Sequence, residues 1–174
     1  MNDTSNLRKI HQFLKENVSR QAVTADLTAG NGYDTKFLAE NFAFVYSLDI
    51  SLEAMENTKK LTADFSNIEY IVANHVDVLD YVKTGLDIVI YNLGYLPKGD
   101  KTLITTSETT LKSLKAVKTI IKPGGFLVIT TYLAHPGGYQ EYLAVKNWVF
   151  NLKQSFLIYE YPTINSPVSF IVCF

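Results

Sequence analysis

Apolar residues recur along this chain with two rhythms. Leu7, Ile10, Leu14 and Val18 stand three and four residues apart, with Arg8, Lys9, Lys15 and Glu16 between them. That spacing predicts an amphipathic helix within residues 1–20 that has one face to bury. Compact apolar runs follow at about residues 22–28, 44–49, 68–73, 86–91 and 126–132, and they read as strands. The run at 86–91 is almost wholly apolar, as expected of a strand covered on both faces of a parallel sheet. Helical stretches separate the runs at about residues 34–41, 52–65 and 76–81. A long helix carries Leu103, Leu111, Leu114, Val117 and Ile121 on one face. Pro123-Gly124-Gly125 is expected to break that helix and open the fifth strand. A helix over about 139–152 precedes two closing strands, about 156–161 and 168–174, separated by a short turn region.

Strand and helix therefore alternate and end in a hairpin. Alternation implies an α/β fold with a doubly wound, mostly parallel sheet, and the hairpin adds one antiparallel strand. The expected architecture is a Rossmann-like, seven-stranded sheet in a single domain, 1–174, with the N-terminal helix packed on it. A dinucleotide-dependent enzyme would need a separate catalytic domain, for which 174 residues leave no room.

Composition narrows the class. With 47% hydrophobic and 19% charged residues the chain can bury a substantial core. A net charge of −1 argues against gripping nucleic acid by bulk charge but permits a local basic patch. Cys173, the single cysteine, has no partner for an internal disulfide and no zinc-like spacing around it. Residues 1–20 hold no apolar signal core, and no run approaches the roughly 18 apolar residues of a membrane span. A soluble, cytoplasmic protein with no membrane partner is expected.

The chemistry gathers at the strand ends. Asp26-Leu27-Thr28-Ala29-Gly30-Asn31-Gly32-Tyr33-Asp34-Thr35 reads as strand, tight glycine turn and helix start. Gly30 and Gly32 permit positive φ and close approach of a ligand. Asp34 and Thr35 are good N-cap types. A plain turn between strand and helix would use the same residues. Asp49 closes the next strand about twenty residues on, where a carboxylate can hold a ribose by its hydroxyls. That pair of features suits a dinucleotide or S-adenosylmethionine. Thr35 stands in place of a third glycine, and Asp26 and Asp34 would suit the ammonium of a methionine moiety, which tilts the reading to S-adenosylmethionine.

Asn74-His75, residues 92–101 and His135 to Gly138 fall at further strand ends, on the same expected rim. Asn92-Leu93-Gly94-Tyr95 keeps the Asn-x-x-Tyr spacing of the Asn-Pro-Pro-Tyr loop of amino-directed methyltransferases, where the asparagine accepts from the target nitrogen and the ring stacks on the substrate. Asn92 capping a turn and Tyr95 packing is the alternative. Asn74 and His75 suit either a nucleoside contact or the strand's termination. His135, Gly137, Gly138 and Glu141 suit either an acceptor pocket or a plain turn. His11 lies beside the first helix's apolar stripe and reads as packed or superficial. Lys98, Lys101, Lys112, Lys115, Lys118 and Lys122 make one segment basic; Lys112, Lys115 and Lys122 are expected to share a helix face, either solvated or tracking phosphates. No nucleophile triad and no metal-ligand spacing occurs.

These motifs resemble a small bacterial family labelled rRNA methylases, now associated with methylation of 5-aminomethyl-2-thiouridine at the tRNA wobble position. The resemblance runs through Thr28-Ala29-Gly30-Asn31-Gly32-x-Asp34-Thr35, Asp49-Ile50 and Asn92-Leu93-Gly94-Tyr95-Leu96-Pro97-x-Gly99-Asp100-Lys101. It continues in Gly124-Gly125, His135-Pro136-Gly137-Gly138 with Glu141, and Gln154 with Phe156. Ser51 stands where the family has glutamine and Lys98 where it has glycine. The resemblance implies a class I methyltransferase fold with S-adenosylmethionine as cofactor, no metal, a homodimer, and the tRNA anticodon stem-loop as partner. It places Asn31, Asp49, Ser51, Asn74 and His75 on the cofactor beside the glycine turn. It places Asn92 and Tyr95 at the reaction, with Leu93, Gly94, Pro97, Lys98, Asp100, Lys101, His135, Gly137 and Gly138 on the substrate.

Overall fold

The computed structural model describes residues 4–94, 104–160, 163 and 165–174. Helix α1 (Thr4–Asn17) precedes β1 (Val23–Asp26), α2 (Tyr33–Asn41), β2 (Phe44–Asp49), α3 (Leu52–Leu61) and β3 (Ile68–Val72). A 3-10 turn (His75–Asp77) runs into α4 (Val78–Tyr81), then β4 (Leu86–Leu93), α5 (Ser107–Val117), β5 (Ile121–Thr131) and α6 (Gly138–Asn151). Strands β6 (Ser155–Tyr159) and β7 (Val168–Cys173) end the chain.

The strands form one seven-stranded sheet in the order β3-β2-β1-β4-β5-β7-β6. Pairing is parallel from β3 through β5, and β7 lies antiparallel between β5 and β6. The alternation read from the sequence therefore gives the expected sheet. Strand order reverses between β1 and β4, which is where an open α/β sheet forms a crevice at its carboxyl ends.

Side chains of β4 alternate between two cores, as successive residues of a strand must. Ile88 and Ile90 join Ile10, Leu14, Phe37 and Leu38 on the face covered by α1 and α2. Val89, Tyr91 and Leu93 join Val78, Leu114, Val117, Val145 and Val149 on the face covered by α4, α5 and α6. The stripe of α1 thus has its target: Ile10 and Leu14 are buried, and Phe13 meets the edge of Phe126 at a centroid distance of 5.3 Å.

Three sequence expectations are corrected. Strand β4 extends to Leu93, so Asn92 belongs to the strand and pairs in register with Thr130. The long helix is shorter, starting at a Thr106 cap and ending at Val117. Pro123-Gly124-Gly125 lies inside β5, where Ile121 already pairs with Leu86 and the register shifts before Ile88. Between those pairs β5 advances five residues and β4 two, so Pro123-Gly124-Gly125 supply a kink within the strand and not a helix stop. Lys122 consequently leaves the helix face assigned to it and forms an ion pair with Asp87 at 2.7 Å, at the amino end of β4. No helix among the described residues is long and apolar enough to cross a membrane.

Leu14 is 0% exposed, so Leu14→Ala removes a fully packed side chain. The expected loss is about 2–5 kcal/mol of unfolding free energy. Urea unfolding checks it, and a loss well under 1 kcal/mol would mean that α1 does not share the core.

Candidate active site

Beyond Asp26 the chain must reverse tightly to start α2. Gly32 is the N-cap of α2 at φ +83°. A Cβ there would lie 2.8 Å from the Cα of Thr58, so only glycine lets the α2 start approach α3 this closely. Asp34 and Thr35 accordingly do not cap the helix, contrary to expectation; they stand in its first turn and point inward. The Thr35 hydroxyl donates to Asp26 Oδ2 at 2.7 Å and lies 2.9 Å from the Ser47 hydroxyl, tying α2 to β1 and β2. A third glycine here would lose that tie.

Asp26 is also corrected. It is 0% exposed and accepts from Thr35 and from the backbone N–H of Thr28, so it is a strut beneath the turn and not an open ligand contact. Burial, then the neighbouring charge of Asp34, pushes its pKa up to about 8, against the opposing hydrogen bonds from Thr35 and Thr28.

Asp49 spans the rim between two turns. Its Oδ2 accepts from Gly30 N–H at 2.9 Å and its Oδ1 from Ser51 N–H at 2.8 Å. Burial raises its pKa, and those two N–H bonds oppose the rise. Each oxygen keeps acceptor capacity for a ligand hydroxyl. The Ser51 hydroxyl is engaged as the α3 cap, accepting from Ala54 N–H. The carbonyl oxygen of the Asn31 side chain accepts from Asn57 at 3.3 Å, which orients it beside the turn. Asn74 caps the 3-10 turn through Val76 N–H. His75 is buried edge-on to Tyr91 at 5.8 Å, and its Nδ1 has no partner among the described residues. Burial depresses its pKa to about 4, so it is a neutral ring.

Strand β4 supplies the centre of the crevice. Leu27 N–H donates to Ile90 O at 3.0 Å, and one step on the Thr28 hydroxyl accepts from Asn92 N–H at 2.6 Å. A threonine side chain thus prolongs the β1–β4 ladder past the end of β1. The Asn92 side-chain nitrogen donates to Asp34 Oδ2 at 2.6 Å, which leaves its Oδ1 without a donor among the described residues. Asp34 Oδ1 lies 2.6 Å from His11 Nε2, and the His11 ring stacks on Phe37 at 3.6 Å. His11 is therefore packed, one of the two readings its position allowed, and it touches the Asp34 carboxylate. Asp34 thereby bridges α1 and β4.

The residues after Asn92 divide. Leu93 is 0% exposed and belongs to the core, so it is not a substrate contact. Gly94 and Thr105 close the base of the following segment: Thr105 N–H donates to Gly94 O at 2.9 Å, and Gly94 N–H donates to the Thr105 hydroxyl at 2.7 Å. Buried Glu141 on α6 accepts from Thr105 at 2.9 Å and Thr110 at 2.6 Å. Burial raises its pKa above the usual carboxylate value. Tyr95, Pro97, Lys98, Asp100 and Lys101 lie outside the described residues. His135 comes back to this point, its Nε2 3.5 Å from where a Cβ on Gly94 would be. Gly137 is the left-handed cap of α6, and a Cβ on Gly138 would sit 2.3 Å from Tyr132 O.

Sequence periodicity could not reveal Thr28, Thr105 or the role of His11, because their partners come from distant elements. The only available signal was a polar histidine adjoining the buried stripe of α1.

Residues 45–174 match the protein family described as "Putative rRNA methylase". A relative from Arabidopsis thaliana named tRNA (mnm(5)s(2)U34)-methyltransferase, chloroplastic, is 30% identical over 94% of this chain. The chain spans 66% of that relative's length. A crystal structure of a putative rRNA-methylase from Clostridium thermocellum superposes with a TM-score of 0.86 at 28% identity, over 96% of each chain. A putative methyltransferase from Streptococcus mutans, crystallised in complex with SAH, superposes at 0.84 with 29% identity, over 96% of each chain.

The raised pKa of Asp26 has a testable sign. The folded state holds its proton between the unfolded value of 3.8 and about 8, so stability falls as pH rises through that window. The depressed pKa of His75 acts oppositely but only below 6.5. Between pH 6.5 and 8 the wild type is expected to lose up to about 1.4 kcal/mol per pH unit from Asp26. Asp26→Asn, which cannot ionise, should flatten that slope in urea titrations; equal slopes would mean Asp26 ionises freely.

Proposed function

This chain belongs to the putative rRNA methylase family, and from that premise we propose that it N-methylates an RNA amine with S-adenosylmethionine as donor. The substrate we assign is 5-aminomethyl-2-thiouridine at the wobble position of tRNA, giving the 5-methylaminomethyl product. The observation that carries this reading is Asn92 at the switch-point crevice, its amide nitrogen tied back to Asp34 and its oxygen left to accept.

The donor set fits the cofactor. Asp49, set against the glycine turn through the Gly30 N–H, gives that turn an acidic edge that suits a cationic sulfonium better than a diphosphate. Asp49 would take the ribose hydroxyls, Gly30, Asn31 and Gly32 would border the methionine part, and the unpartnered His75 Nδ1 and Asn74 would face the nucleoside. S-adenosylmethionine supplies, when bound, an electrophilic methyl whose sulfur leaves as a neutral thioether. The protein needs to align a neutral amine, since an ammonium has no lone pair to give, and alignment alone can supply much of the barrier reduction. Asn92 Oδ1 accepts one amine hydrogen and aims the lone pair. His135, Gly137 and Gly138 border the same mouth beside Gly94, and Glu141 holds the base of the segment that follows.

An RNA substrate is supported by exposed aromatic rings at the strand carboxyl ends. Tyr33 opens α2, Tyr132 follows β5 and Tyr139 stands at the start of α6, with relative exposures of 65%, 43% and 54%. Rings so placed can stack on unpaired bases of an anticodon loop. A homodimer and a cytoplasmic location belong to the same reading. The dimer is supported by exposed apolar Phe150, Leu157 and Ile158 around the edge strand β6, and the location by an unpaired cysteine. The family's description keeps an rRNA nitrogen as the second acceptor.

Incubation of the protein with S-adenosylmethionine and tRNA bearing the aminomethyl group, followed by mass spectrometry of nucleosides, is expected to show the methylated base; parallel rRNA should stay unmodified. Absence of product from tRNA, despite calorimetric binding of the donor, would overturn the substrate assignment. Asn92→Ala should lower kcat by 10- to 1,000-fold, about 1.4–4 kcal/mol, with donor affinity little changed. Asp49→Ala should instead weaken donor binding first.

A further inference from the structure

We propose that His11 and Asp34 are positioning residues for methyl transfer, so that helix α1 completes the active site from outside the glycine turn and the strand rim. The inference rests on the function proposed above and extends it to how Asn92 is held. Asn92 is a poor tool by itself, because its amide can turn over and present either nitrogen or oxygen to the acceptor amine. Presenting the NH2 group would oppose two hydrogen donors. The structure removes that freedom in two steps. Asp34 Oδ2 takes the Asn92 nitrogen at 2.6 Å, and a carboxylate can only accept, so the oxygen is forced to the other side. Asp34 Oδ1 meets His11 Nε2 at 2.6 Å, which fixes the carboxylate plane.

The chain of contacts is anchored at both ends. His11 lies flat on Phe37, 3.6 Å between centroids and 2° between planes, and its neighbours Ile10 and Leu14 are buried against the sheet. Asn92 is held at its backbone by Thr28 and by the β4–β5 register. Asp34 is 7% exposed, and burial strengthens short contacts of this kind by excluding competing water. Nothing in the packing of α1 requires a histidine here, since an apolar residue on that stripe would cover Phe37 as well. The ring nitrogen aimed at Asp34 is the feature that packing leaves unexplained. After transfer the methylated nitrogen sheds its extra proton to solvent.

The test is a double-mutant cycle on the full chain, read by steady-state methylation of aminomethyl-bearing tRNA and by calorimetry with S-adenosylmethionine. Asp34→Ala is expected to lower kcat about as much as Asn92→Ala. The double variant should be no slower than Asn92→Ala alone, because one device has been removed once. His11→Ala should lose about ten-fold in kcat with KM nearly unchanged, and His11→Gln should recover part of it. Donor affinity should stay within about three-fold throughout. Independently of activity, the Asn92 side-chain amide resonances of the ligand-free protein should shift in His11→Gln. Should Asp34→Ala not fold, Asp34→Asn serves, with a smaller expected loss.

Wild-type rates in the His11 and Asp34 variants, or losses that multiply with that of Asn92→Ala, would overturn the inference while leaving the function standing. An inactive wild type that still binds the donor would instead overturn the function, and this inference with it.

Discussion

The reversal of strand order between β1 and β4 is the constraint on which this molecule depends. Helices must leave those two strands in opposite directions, so no connection covers their carboxyl ends. A continuous ladder joins the two strands up to that opening. Leu27 bonds to Ile90, and the Thr28 hydroxyl bonds to Asn92 where the β1 backbone has already turned away. The ladder therefore carries Asn92 past the end of its neighbour while still holding it as a strand residue. A functional side chain on a strand end has a fixed direction, which a loop of the same sequence would not give it.

Around that opening the protein separates ionisable groups by burial. Asp26 lies under the turn and keeps its proton well into the neutral range, while Asp34, next to it, is engaged by His11 and Asn92. His75 is neutral for the same reason that Asp26 is, since both would lose hydration on becoming charged. Glu141 repeats the arrangement at the other side of the mouth. There two threonine hydroxyls compensate its burial and fix the base of the segment after Gly94. Asp26, Asp34, Asp49 and Glu141 thus all have assigned partners, which favours rigidity in a low-dielectric setting.

The amino-terminal helix changes meaning in this setting. Its apolar stripe closes one face of the sheet, and the same burial delivers a ring nitrogen to Asp34. Packing and chemistry here are two uses of one element, and both fail if its register slips by a residue.

The sequence alone determined the alternation of strands and helices, the terminal hairpin, the glycine turn after β1 and the presence of Asp49 and Asn92 at strand ends. Those features follow from local periods and from residue types that a turn or a strand demands, so neighbours along the chain suffice to read them. Tertiary structure decided the rest. Asn92 proved to be a strand residue because β5 pairs with it, and Pro123-Gly124-Gly125 became a register shift inside a strand because Leu86 already pairs with Ile121. Asp34 turned from a cap into a bridge, joining His11, 23 positions before it, to Asn92, 58 positions after it. A contact across such separations has no period in the sequence, because it is fixed only when the sheet order brings three distant elements to one edge.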